Sequence, residues 1–190
     1  MSPILGIIAS SKLVASGAYE SIATAVGTGS SSTITFSSIP STYKHLQIRG
    51  IVKNASTFTG DASFTVTFNG VGGTSYAWHQ LRGNGSAVAA SAGASQSSMA
   101  SFYTQVSSNA AYSNRFGVFI MDIHDYASTT KNKTMRLFAG VDTNGAKTDY
   151  VSLSSGLFVN TSAISSITIT EYDAQNWTTT TQLSLYGIQG

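Results

Sequence analysis

Asp122-Ile123-His124-Asp125 is the densest group of reactive side chains in the sequence. Alternate residues of a strand share a face, so Asp122 and His124 would point the same way and could jointly hold a cation. No third ligand is evident, and the simpler reading is a polar strand end running into a turn. His45 and His79 read as exposed or hydrogen-bonding side chains. Eight acids and three histidines give acid–base pairs and metal cages few members to draw on. The sequence contains no Gly-x-Ser-x-Gly elbow, no His-Glu-x-x-His and no phosphate-cradling glycine loop. Gly70-Val71-Gly72-Gly73 follows a strand pattern but opens no helix, so it reads as a turn. There are no cysteines, which excludes disulfides and thiolate metal sites and leaves the redox compartment open. The expectation is a chain with no catalytic residue, no metal and no cofactor, and hence not an enzyme.

Aromatic side chains are the remaining candidates for binding. Trp78 and Trp177 sit in polar neighbourhoods, near Tyr76 and Tyr172. An exposed indole stacks on a sugar ring or anchors an interface, whereas most aromatics in a β-sandwich fill its core. Core or subunit-interface packing is the preferred reading, with glycan contact through Trp78 and Trp177 as the sharper one.

The elements that must position these residues follow from composition and period. At 190 residues and 42% hydrophobic content, the chain is long and apolar enough for one domain with a real core. Only 9% of residues are charged, far below the usual quarter or so. Disordered chains combine low hydrophobicity with high charge, so disorder is not expected. A surface of hydroxyls and small side chains lacks the charge that keeps free monomers apart, which suits a subunit packed into a larger assembly. The formal net charge is +2. The cations are scattered, and the densest group, Lys131 to Arg136, reads as a solvated strand face rather than a nucleic-acid stripe. No stretch approaches the ~20 apolar residues of a membrane helix. The N-terminus has a short apolar run with Lys12 behind it and no cation ahead of it, so a cleaved signal is not expected.

Ile34 and Phe36 alternate with Thr33 and Thr35, and the alternation resumes at Leu46, Ile48 and Val52 beyond a break at Ile39-Pro40. A period of two is the signature of half-buried strands, and Pro40 lacks the N–H a central ladder needs. Further strands are predicted over 19–26, 62–69, 99–106, 115–124, 134–141, 150–159, 164–172 and 182–188, while 76–81 reads as a short strand or a helical turn. Gly83–Ser97 is rich in Gly, Ser and Ala without periodicity and reads as a long loop. Residues 115–124 are apolar on both faces (Phe116, Val118 and Ile120 against Phe119, Met121 and Ile123), as in a central strand covered on both sides. Gly156 reads as a bulge, and Asn69-Gly70 and Asn144-Gly145 as turns. The sum is an all-β fold, an antiparallel β-sandwich of jelly-roll type with about ten strands, over residues 17–190. Residues 1–16 carry an apolar cluster too short for its own core. It reads equally as a strand or turn folded onto its own domain and as an arm that docks on a neighbour, with Pro3, Ile4, Leu5, Ile7 and Ile8 as docking residues.

Met1-Ser-Pro-Ile-Leu-Gly-Ile-Ile-Ala-Ser-Ser-Lys12, Tyr19-Glu-Ser-Ile-Ala-Thr24, Phe36-Ser-Ser-Ile-Pro-Ser-Thr-Tyr-Lys-His-Leu-Gln-Ile-Arg-Gly50 and the closing Leu183-Ser-Leu-Tyr-Gly-Ile-Gln-Gly190 resemble virion proteins of tailed bacteriophages, including cyanophages. The resemblance covers the first 50 residues and about the last ten. It implies a sandwich subunit on the particle exterior, assembled in the bacterial host cytoplasm. One expectation is a capsid decoration (cement) protein, a homotrimer whose partner is the major capsid protein or another virion protein. The alternative is a tail-fibre or receptor-binding module that presents loops such as Gly83–Ser97, with Trp78, to host glycans.

Overall fold

A computed structural model describes residues 17–57, 62–105, 113–145 and 149–190. Among them are twelve strands and no helix. In chain order these are β1 (Tyr19–Val26), β2 (Thr33–Phe36), β3 (His45–Val52), β4 (Ala62–Phe68), β5 (Tyr76–Gly83), β6 (Val88–Gln96), β7 (Met99–Gln105), β8 (Gly117–His124), β9 (Lys133–Val141), β10 (Tyr150–Phe158), β11 (Ile167–Glu171) and β12 (Gln182–Ile188). They form two antiparallel sheets, one of eight strands in the order β1-β12-β3-β8-β9-β10-β5-β6 and one of four in the order β2-β11-β4-β7.

The pairs β1·β12, β2·β11, β3·β8 and β4·β7 are nested, with the outermost strands of the chain paired first and the inner ones last. Successive pairs alternate between the two sheets. This is the winding of a jelly roll. Strands β9, β10, β5 and β6 then extend one sheet beyond the roll. The all-β sandwich expected from the sequence is therefore the fold, with twelve strands rather than about ten.

Period-two burial accounts for the core. Phe64, Val66 and Phe68 of β4 face Leu46 and Ile48 of β3, Phe119 and Met121 of β8, and Leu183 and Leu185 of β12 in one continuous apolar cluster. The ring of Phe64 lies 5.4 Å from that of Phe102 and 4.9 Å from that of Phe119, so aromatics from both sheets meet at the centre. Tyr76 stacks on Phe158 at 4.9 Å, and its buried hydroxyl donates to the Val71 carbonyl (2.9 Å) and accepts from the Phe68 N–H (2.9 Å). A buried hydroxyl without such partners would cost stability.

Three expectations are corrected. Gly83–Ser97 is not a loop. Asn84-Gly85 makes a tight turn in which the Asn84 side-chain oxygen accepts from the N–H groups of Ser86 (3.0 Å) and Ala87 (2.7 Å), and β6 returns along β5. Its strand character comes from pairing with β5 at the sheet edge. Its own side chains are small and nearly all exposed, so no period was legible. Of the two readings left open for 76–81, the strand is the one observed. Gly156 is not a bulge, since β10 runs in unbroken register with both β5 and β9. The strand β8 is central, but one side is open, as described below. In addition, β2 and β3, joined through Ile39-Pro40, lie in different sheets, so that break is a crossing between layers rather than a hairpin.

Candidate interaction surface

The outer face of the eight-stranded sheet follows directly from strand register. In β8, Phe119, Met121 and Ile123 point into the core, which sends Val118 and Ile120 outward. In β9 the inward set Met135, Leu137 and Ala139 leaves Phe138 outside, and in β10 Val151 and Leu153 face out. Cross-strand pairing aligns these residues in rows. One row runs Arg49–Ile120–Phe138–Leu153–Leu81–Ala90 across six adjacent strands. The next runs Val26–Gln182–Ile51–Val118–Gly140–Val151–Gly83–Val88 across all eight.

These side chains are open to solvent, with Phe138 57%, Leu153 55% and Val118 50% exposed. Of the large hydrophobics exposed among the described residues, all but Val159 and Tyr172 lie on this face. Singly exposed apolar residues are ordinary, but a contiguous band across a sheet marks a surface that something covers. The face is also sculpted. Gly140, between Val118 and Val151, and Gly83, on the far side of Val151, leave one hollow, and the short side chains of Ala90, Ala92 and Ser155 leave a second hollow beside Leu81 and Leu153.

A polar row borders the band: Tyr186–Gln47–Asp122–Arg136–Ser155–His79. Asp122 accepts from Gln47 Nε2 at 2.7 Å and from Arg136 Nε at 2.9 Å. Burial pushes its pKa up, but these two bonds outweigh it and hold the carboxyl below its ordinary value. The Arg49 guanidinium lies between the rings of Tyr19 (5.5 Å) and Tyr186 (5.3 Å), a cation–π clamp at the margin of the band.

Asp122 and His124 do not converge on a cation site. His124 meets the ring of His45 edge-on at 5.0 Å, while Asp122 is committed to Gln47 and Arg136. Asp125 lies between Lys131 (2.7 Å) and Lys44 (3.4 Å), and its pKa is lowered by the Lys131 hydrogen bond. Among the described residues no cluster of three or more His, Cys, Asp or Glu could hold a metal. Strand β8 ends at His124, and the chain turns over residues 125–127. His45 accepts the Asp125 N–H on Nδ1 (3.0 Å), and burial together with the neighbouring His124 lowers its pKa below 6.5.

The two tryptophans are corrected as glycan contacts. Trp78 is 8% exposed and Trp177 fully buried, so neither offers a ring face to a sugar. Trp78 lies on Gly93 of β6, where an added Cβ would stand 2.7 Å from Nε1, and Trp177 packs against Gly27, where one would stand 2.9 Å from its own Cβ. Pro3, Ile4, Leu5, Ile7 and Ile8, with the whole of the 1–16 arm, lie outside the described residues. Sequence reasoning did not identify the outer band as a site, although the double-sided apolar pattern of residues 115–124 was its signal. No family model matches the chain, and no curated protein or solved structure matches it either.

Proposed function

We propose that this chain is a structural subunit of a tailed-phage particle, a decoration protein that binds and stabilises the assembled capsid shell. The observation that carries the reading is the apolar outer face of the eight-stranded sheet, which leaves the isolated chain with a large surface it must share. The jelly roll supports it by analogy, since viral capsid proteins use this architecture, as do lectins. Most of the described acids support it too, because their carboxylates are engaged in holding the fold. Glu171 binds Asn54 (2.9 Å) and the Gln175 N–H (2.7 Å), Asp149 accepts from Thr143 (2.6 Å), and Glu20 accepts from Tyr43 (3.0 Å).

The glycan-binding alternative drew on Trp78 and Trp177, and their burial removes those residues from it. Immunogold labelling of intact particles from the phage that encodes this chain tests the proposal. Label distributed over the capsid is the expected result. Label confined to the tail, or unlabelled particles, would overturn it.

A further inference from the structure

We infer that the outer face of the eight-stranded sheet is covered by a second copy of this chain. The inference rests on the reading above, that the chain is an assembly subunit, and names the partner at that surface. Three observations converge on self-association.

The first is area. Eight strands spaced ~4.8 Å apart make the face about 34 Å wide, and three rows of outward residues make it about 20 Å deep, so it offers roughly 700 Å² against the ~800 Å² per partner of a standard stable interface.

The second is charge. The only charged groups in those three rows are Arg49, Asp122 and Arg136, and Asp122 is already neutralised by Arg136. Arg49, held over the rings of Tyr19 and Tyr186, leaves the face one net positive charge, too little to attract nucleic acid or an oppositely charged partner and little to repel its own copy.

The third is shape. Phe138 and Leu153 project as knobs, while Gly140 with Gly83 on one side and Ala92 with Ser155 on the other leave hollows. Knobs and hollows on one surface let that surface pack against its like, as a two-fold interface between identical subunits requires. A two-fold dimer would bury the band on both copies. Contact with the shell then falls to another part of the chain.

The test is the mass of the full chain in solution. Analytical ultracentrifugation should show a discrete oligomer of the 19.8 kDa chain. Phe138→Glu and Leu153→Glu should each shift it to monomer with an unchanged β circular dichroism spectrum. Tyr172→Glu, exposed but off this face, should leave the oligomer intact. The absence of native cysteine allows a second readout that adds no charge. A single Leu153→Cys should cross-link two copies through a bifunctional maleimide, whereas Tyr172→Cys should not. A wild-type chain that stays monomeric at high concentration would overturn the inference, as would an oligomer untouched by both glutamate variants. Either result leaves the capsid labelling experiment to decide the proposed function separately.

Discussion

The Met99 side chain of β7 occupies the space that a Cβ on Gly156 of β10 would need. The two residues belong to opposite sheets, so this contact sets how closely the layers approach over the extension of the larger sheet. Gly156 is therefore a packing glycine in a regular strand.

Gly156→Ala should overpack this point and lower stability by about 1–3 kcal/mol. Met99→Ala should cost about 2–5 kcal/mol by leaving a cavity. The double variant should lose less than the sum, because the new methyl group enters the vacated space. Urea denaturation of the four proteins checks this, and strictly additive losses would contradict the contact.

Trp177 is fully buried in the core. Trp177→Ala should cost about 3–5 kcal/mol. In the native protein both indoles should emit at short wavelength, resist acrylamide quenching and be unaffected by added oligosaccharides. A glycan-dependent shift in tryptophan emission would contradict the burial of Trp78 and Trp177.

Lys133 is buried at the start of β9, where its ammonium donates to the carbonyls of Lys131 (2.6 Å) and Thr161 (3.0 Å) and ties two loops together. Lys133→Met retains the length of the side chain but removes the donor from both carbonyls. The expected loss is about 1–3 kcal/mol, since a hydrogen bond from a charged donor contributes more than a neutral one. Thermal unfolding measures it, and an unchanged midpoint would show that the clamp adds nothing.

The pH dependence has a definite sign at His45. Its folded pKa lies below 6.5 because burial, and then the neighbouring His124, disfavour the imidazolium, although Asp125 pulls the other way. The unfolded chain then binds the proton more readily than the folded one. This contribution to stability is complete above pH 6.5 and is lost as pH falls through the folded value. Asp122 behaves in the same direction at lower pH, its contribution present above the ordinary carboxylate pKa and lost as it protonates and gives up Gln47 and Arg136 as partners to its charge. NMR titration of the His45 ring should give a midpoint below 6.5. A midpoint above it would reverse the predicted slope.

Much of the fold was legible because a period of two needs only the chain itself. Phe64, Val66 and Phe68 against Ser63, Thr65 and Thr67 identify a strand and its inner side, and the same alternation placed β1 and β12 at their observed limits. Strand β6 was not legible, because Ala and Ser carry no inside or outside and its structure comes from the β5 backbone. For Trp78 and Trp177 the preferred core reading holds, although the sequence left a glycan contact open beside it. Polar neighbours in sequence say little about burial when the glycines packed against the rings, Gly93 of β6 and Gly27 just after β1, come from elsewhere in the chain.

By itself the sequence determined that the chain would form alternating strands with two differently dressed sides, since side-chain direction along an extended backbone is local. Which strands joined which sheet depended on pairings between residues more than a hundred positions apart, such as β1 with β12. The tertiary structure alone decided that the second apolar side of β8 would stay open, because four strands form the second sheet and they cover only the inner face of the eight. Alternation reports which residues share a side; only the stacking of layers decides what, if anything, lies against it.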